Sequence, residues 1–178
     1  MLAGKPLIVH VLERISASVD NIVVVTRPGQ ELPAEAALHF HPAVFQDLYP
    51  GAGPLGGLLT GLSAADSFPA IAVACDMPFL EPALLRGLLK VMQGYDAAVP
   101  VKDDRPQPLC AAYAETCIDS LKARLEANQL RMTDWLDDIR VRRILDEDWQ
   151  PLDPEGLSFF NLNTPDDLAK AEAMLAGA

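Results

Sequence analysis

An α/β fold, with a three-layer and mainly parallel sheet carrying helices on both faces, is the architecture that the sequence predicts. Three observations carry it. Short apolar runs without interruption, above all residues 21–26 and 70–75, have the character of strands covered on both faces. Segments with a helical apolar stripe alternate with them, which implies parallel crossovers. The 178 residues are 50% apolar and 22% charged, enough to build one core in one domain without disulfide or metal staples.

Residues 6–18 start with Pro at a first helical position and carry a broad apolar stripe, so they read as a helix. Residues 21–26 form a strand that Arg27, Pro28 and Gly29 end. A short helix at 32–38 and a strand at 43–46 come next. The loop at 47–54 leads into a helix at 55–65, then a strand at 70–75, a helix at 82–92 and a strand at 97–101. Beyond Val101 the alternation loosens. Residues 108–113 read as a strand, 115–127 as a helix, 132–139 as a short helix, 141–145 as a strand and 157–162 as an extended apolar segment. Thr164 as N-cap, Pro165 at the first helical position and Asp167 two further on start a last helix.

The charge balance excludes one class of partner. Fourteen basic against 25 acidic residues give a net charge of -11, whereas a nucleic-acid groove needs a basic footprint to release counterions. A small phosphorylated ligand stays compatible, because a few cations and backbone amides serve it locally. No apolar run reaches the roughly 18 residues of a membrane span, and no signal-peptide pattern opens the chain. Cys75, Cys110 and Cys117 are odd in number and lack metal-ligand spacing. The expectation is a cytoplasmic protein with buried, reduced thiols.

In such a fold ligands sit beyond the carboxyl ends of the strands. The residues there are Thr26, Asp47, Asp76 and Asn163. Asp76, in V-A-C-D-M-P (73–78), directly follows an apolar run. One carboxylate at that rim can hold Mg²⁺, which takes oxygen ligands, keeps several waters and bridges substrate phosphates. Capping of the turn around Pro78 accounts for it equally well. The stretch P-G-A-G-P-L-G-G-L (50–58) opens a helix whose free N–H groups suit an anionic or polar group. It has neither of the common nucleotide-loop spacings, and a tight turn with close helix packing explains it too. Asp47 is either an exposed loop acid or an acceptor for a base or ribose. Asn161 and Asn163, two apart, support a metal or its waters, or simply form a turn. Lys102, Arg105 and Arg131 are candidate anion contacts, or solvated surface charges. His39 and His41 share a strand-like face, but with His10 they make no metal triad, and Trp135 and Trp149 read as core or edge aromatics.

The segments G-K-P-L-I (4–8), I-V-V-V-T (22–26), G-P-L-G-G-L (53–58), C-D-M-P (75–78), P-Q-P-L-C (106–110) and N-L-N-T-P (161–165), in that order, resemble the molybdenum cofactor guanylyltransferase family. They span nearly the whole chain. The resemblance implies a Rossmann-like nucleotidyltransferase sheet and transfer of GMP from GTP to molybdopterin, with Mg²⁺ and release of pyrophosphate. Asp76 is then the catalytic, metal-binding acid. Thr26, Asp47 and the loop of Gly53, Pro54, Leu55 and Gly56 fall on the nucleotide side, and Arg105, Gln107, Pro108, Asn161 and Asn163 on the acceptor side. GTP and molybdopterin are the implied partners, with transient contact to other molybdenum cofactor proteins, and with no nucleic acid or membrane. A CTP- or sugar-phosphate-type transferase, or a non-catalytic binding remnant, are the alternative readings.

One departure from the family is large. Its signature, L-A-G-G-x-S-x-R-M-G-x-D-K, follows a first strand and supplies amides, an Arg and a Lys to the triphosphate. Met1-Leu-Ala-Gly4 echoes it, but the Lys-Pro-Leu-Ile that follows matches the family's later G-K-P-L-I segment. The expectation is a domain lacking about twenty residues, the central strand and glycine loop that open such folds.

Overall fold

Among residues 1–177, which the computed structural model describes, the elements run in chain order as α1 (Leu7–Ile15), β1 (Val23–Thr26), α2 (Ala34–Phe40), β2 (Ala43–Gln46), α3 (Pro54–Ser63), β3 (Ala70–Val73), α4 (Pro82–Lys90), β4 (Ala97–Lys102), β5 (Arg105–Pro106), β6 (Cys110–Tyr113), α5 (Cys117–Glu126), α6 (Met132–Trp135), β7 (Val141–Ile144), α7 (Asp146–Trp149) and α8 (Pro165–Ala176). Period-two alternation along the central strands separates two cores. Ala98, Cys110, Ala112 and Ile144 face α1 and α4 on one side. Ala97, Val99, Ala111 and Tyr113 face α3, α5 and α6 on the other. Helices therefore cover both faces, as the alternation of segments predicts. No helix among the described residues is long and apolar enough to cross a membrane.

The sheet is mixed, which corrects the expectation of a mainly parallel one. β1 and β2 pair in parallel, and so do β4 and β7. β6 lies between β3 and β4 and is antiparallel to both. The cause is local. A parallel return needs about a dozen residues of crossover, and the chain between β4 and β6 has no such length. It turns back instead at Asp103 and Asp104, both at positive φ, in a hairpin that pairs Lys102 with Arg105.

No ladder joins β1 to β3 among the described residues: the two strands belong to separate sheets. They face each other across a cavity of about 760 Å³, lined by Val23 to Val25, Ala70 to Val73 and apolar residues of α1 and α3. The backbone groups on the facing edges of both strands thus have no sheet partner there.

Smaller differences have equally local causes. Residues 157–162 are not extended as a strand: Leu157–Phe159 is a 3-10 turn, started by the Asp153 carboxylate, which accepts the N–H groups of Leu157 (3.1 Å) and Ser158 (2.9 Å). Cys75 is exposed rather than buried, because it stands beyond the end of β3, while Cys110 and Cys117 are buried as expected and all three are free. Burial pushes the Cys110 and Cys117 thiols up to about 12. His39 lies within α2 and His41 is its left-handed cap, so they share no strand face.

Asp96 ties the ends of three elements. Its carboxylate accepts from Arg140 Nε (3.0 Å), Nη2 (2.9 Å) and backbone N–H (2.9 Å), and from Thr116 Oγ1 (2.8 Å). The Arg140 side chain first, helped by its backbone N–H and by Thr116, holds the Asp96 carboxyl well below the usual carboxylate range. A depressed folded value stabilises the fold above the unfolded carboxyl's pKa of about 3.9, and that contribution is lost as pH falls from there through the folded value. Asp96→Asn is expected to lower the melting temperature at pH 7 and to flatten its fall below about pH 4. Equal acid limbs for both proteins in thermal melts across this range would refute the assignment.

Candidate functional site

β1 and β2 run in register, so their carboxyl ends lie side by side, and the Asp47 N–H donates to the Thr26 carbonyl at 2.8 Å. Thr26 is buried, with its hydroxyl turned towards the Phe45 carbonyl at 3.5 Å. Asp47 Oδ1 accepts from the Tyr49 N–H (2.9 Å) and the Thr60 hydroxyl (3.2 Å), and Thr60 Oγ1 in turn accepts from the Leu48 N–H (3.1 Å). Asp47 therefore shapes the loop that leads to α3. Thr60, buried on the inner face of that helix, is a member of this arrangement that sequence reasoning missed; its only signal is a hydroxyl on an otherwise apolar stripe.

Two glycines of this loop are needed for different reasons. Gly53 caps α3 at φ 61 and ψ -148, a backbone state essentially confined to glycine. Gly56 packs against the loop: a Cβ there would lie 2.8 Å from the Tyr49 carbonyl oxygen. Pro54 is exposed at the first helical position. Leu55 is fully buried in the core, backbone included, so it supports the loop and offers no surface of its own to a ligand.

Asp76 occupies the other half of the rim. Its Oδ1 is buried and has no hydrogen-bond partner, and a buried carboxylate oxygen left unpaired is costly. An unbonded carboxylate oxygen suits a hard cation, so Asp76 fits Mg²⁺, whose other ligands would be waters and phosphates. Among the described residues no group of three or more His, Cys, Asp or Glu could hold a metal alone. Turn capping by the side chain, the other reading of Asp76, does not account for a bare Oδ1.

Backbone bonds bring Asn161, Asn163, Gln107 and Pro108 towards this acid. The Leu162 N–H donates to the Asp76 carbonyl (2.9 Å), which sets Asn161 and Asn163 on either side of that junction. The Ala74 N–H donates to the Leu109 carbonyl (2.9 Å), and Tyr113 Oη donates to the Pro108 carbonyl (2.6 Å), which fixes Gln107 and Pro108 beside the end of β3. Arg105 is exposed in the hairpin. Lys102 is spent on the Gly156 carbonyl (3.2 Å) and the Phe159 ring (5.6 Å). Arg131 stands apart, exposed before α6 and 3.9 Å from Asp134. Arg27, which sequence reasoning passed over, directly follows Thr26. Burial and then the Asp76 charge push the Cys75 thiol up. Residues 2–5 form a closed turn: Leu2 and Lys5 exchange backbone bonds of 2.9 and 3.0 Å, and Leu2 is buried against Phe79. The Leu2 and Lys5 amides are thereby unavailable to a phosphate.

The chain is similar to several known proteins. Residues 1–146 match the family model described as a MobA-like NTP transferase domain. A probable molybdenum cofactor guanylyltransferase of Natronomonas pharaonis is 36% identical over 98% of this chain and 87% of its own length. Another from Pelotomaculum thermopropionicum is 38% identical over 79% of this chain and 68% of its own. The crystal structure of molybdopterin-guanine dinucleotide biosynthesis protein A from Archaeoglobus fulgidus superposes with a TM-score of 0.84 at 35% identity, covering 100% of this chain and 89% of that one. A 2-C-methyl-D-erythritol 4-phosphate cytidylyltransferase from Thermus thermophilus shares the fold at 18% identity, with a TM-score of 0.73 over 99% of this chain and 92% of its own.

Proposed function

The chain belongs to the MobA-like NTP transferase family, and we propose that it transfers GMP from GTP to molybdopterin in the cytoplasm and releases pyrophosphate. The observation that carries this reading is the buried, unpartnered Asp76 Oδ1 at the end of β3. Relatives named as guanylyltransferases support the choice of nucleotide and acceptor.

In the proposed reaction a terminal phosphate oxygen of molybdopterin attacks the α-phosphorus of GTP. The bond from that phosphorus to the bridging oxygen breaks, and pyrophosphate leaves with the electron pair. No covalent enzyme intermediate is needed, so the residues act by positioning. Asp76 would hold Mg²⁺, which when bound neutralises charge on the α-phosphate and the leaving pyrophosphate. The loop before α3, which Asp47 and Thr60 keep in shape, lies on the guanine side. Asn161, Asn163, Gln107 and the exposed Arg105 orient the acceptor.

The test is pyrophosphate release and dinucleotide formation with molybdopterin, Mg²⁺ and GTP, CTP or ATP in parallel. Transfer from GTP alone supports the proposal; equal use of the three nucleotides overturns guanine selection by this loop. Gly53→Ala forces a Cβ into a backbone state that costs about 1–3 kcal/mol, although the space around it is open. It is expected to weaken GTP binding by more than it lowers fold stability, measured by calorimetric titration and urea melts. A loss of stability with unchanged GTP affinity would remove this loop from the nucleotide site.

A further inference from the structure

Asp153 is a buried acid that the proposed reaction does not use: it is 2% exposed, and Ser158 beside it is fully buried. A carboxylate is kept in such a place only by strong compensation. Here the compensation is two backbone amides, those of Leu157 and Ser158. The turn that they start is bonded to two other segments of the chain. Ser158 Oγ accepts the Glu81 N–H at 2.8 Å, which ties the turn to the segment following Asp76. The Gly156 carbonyl accepts from Lys102 Nζ at 3.2 Å, at the root of the hairpin that carries Arg105. Phe159 and Phe160 pack on Trp149 and Phe79. Directly after them come Asn161, the Leu162 N–H bonded to the Asp76 carbonyl, and Asn163.

We propose that Asp153, acting through Ser158, is a positioning residue that holds the 153–160 turn as a clasp and thereby sets Asn161 and Asn163 against Asp76. A carboxylate needed only to cap an exposed turn has no reason to be buried, or to anchor a serine that reaches across to another loop. The inference rests on the transferase reading for its kinetic consequence, but its geometry can be tested without turnover.

The experiment compares Asp153→Asn and Ser158→Ala with Leu121→Ala, a fully buried core position in the opposite layer. Amide hydrogen exchange is followed at Leu162 and Glu81, and kcat and KM are measured for both substrates well below each melting temperature. Clasp variants are expected to speed exchange at both amides by about tenfold or more, while Leu121→Ala leaves them protected. They are also expected to lower kcat by about tenfold or more, with the KM for GTP within about twofold. Unchanged exchange at Leu162 in both clasp variants overturns the proposal, as does a kcat loss no greater than that of Leu121→Ala. If the protein transfers no nucleotide even when extended with the family's opening strand and glycine loop, the transferase reading fails separately and the exchange data alone decide on the clasp.

Discussion

Replacing Asp76 with Asn is expected to reduce GMP transfer by about 10³-fold or more while the protein stays folded and becomes no less stable. The two halves of this expectation come from the same atom. Oδ1 makes no bond within the protein, so the amide oxygen that replaces a carboxylate oxygen breaks no hydrogen bond. The bond that holds the turn, from the Leu162 N–H to the Asp76 carbonyl, belongs to the backbone and survives. One carboxylate oxygen is buried without a partner, so removing the charge should leave the melting temperature level or raise it. Activity and stability move in opposite directions only if Asp76 is kept for a ligand. Circular dichroism, a thermal melt and pyrophosphate release on one sample decide it. Full activity in the folded variant sinks the metal-binding role, and a marked fall in melting temperature restores the turn-capping reading.

Asp76 was legible because a polar residue after an apolar strand is anomalous in the pattern itself. So were β1, β2, β3 and the α8 start, where the Thr164 hydroxyl and Asp167 carboxylate form the reciprocal cap that their spacing predicts. The antiparallel insertion of β6 was not legible from strand character. It depends on a two-residue turn of aspartates at positive φ, which glycine or asparagine would have advertised more plainly. Asp153 and Ser158 were invisible for another reason. In the sequence Asp153 sits in a stretch of Pro, Gly and acids and Ser158 in a run read as extended, and only the tertiary fold buries the pair. Thr26 is read from its place directly after a strand, and Leu55 from the family resemblance. Both are buried residues, a property that neither strand character nor a matching motif announces.

The second large effect concerns the cavity between β1 and β3. Both strands are four residues long, their facing edges carry unpaired ladder groups, and α1 and α3 close the space above and below. One extended segment would satisfy both edges at once and bury its side chains against both helices, which a ligand without a peptide backbone cannot do. The family resemblance supplies a strand followed by a glycine-rich loop that brings amides, an Arg and a Lys to the triphosphate. Extending the 178-residue chain at its amino end with such a strand and loop is expected to raise the melting temperature by several degrees or more, since about 1 kcal/mol moves it by about 2–4 °C in a chain of this size. GTP turnover should rise by about 10²-fold or more, the effect of even one preorganised donor. A third protein, with the strand but with its loop glycines, Arg and Lys replaced, separates the two gains: it should melt like the full extension and turn over like the 178-residue chain. Melting temperature and pyrophosphate release with GTP, Mg²⁺ and molybdopterin are measured on all three. If the chain of 178 residues equals the extension in both, the cavity is not a strand site, and the closed turn at Leu2 to Lys5 must open to give its amides to the phosphates.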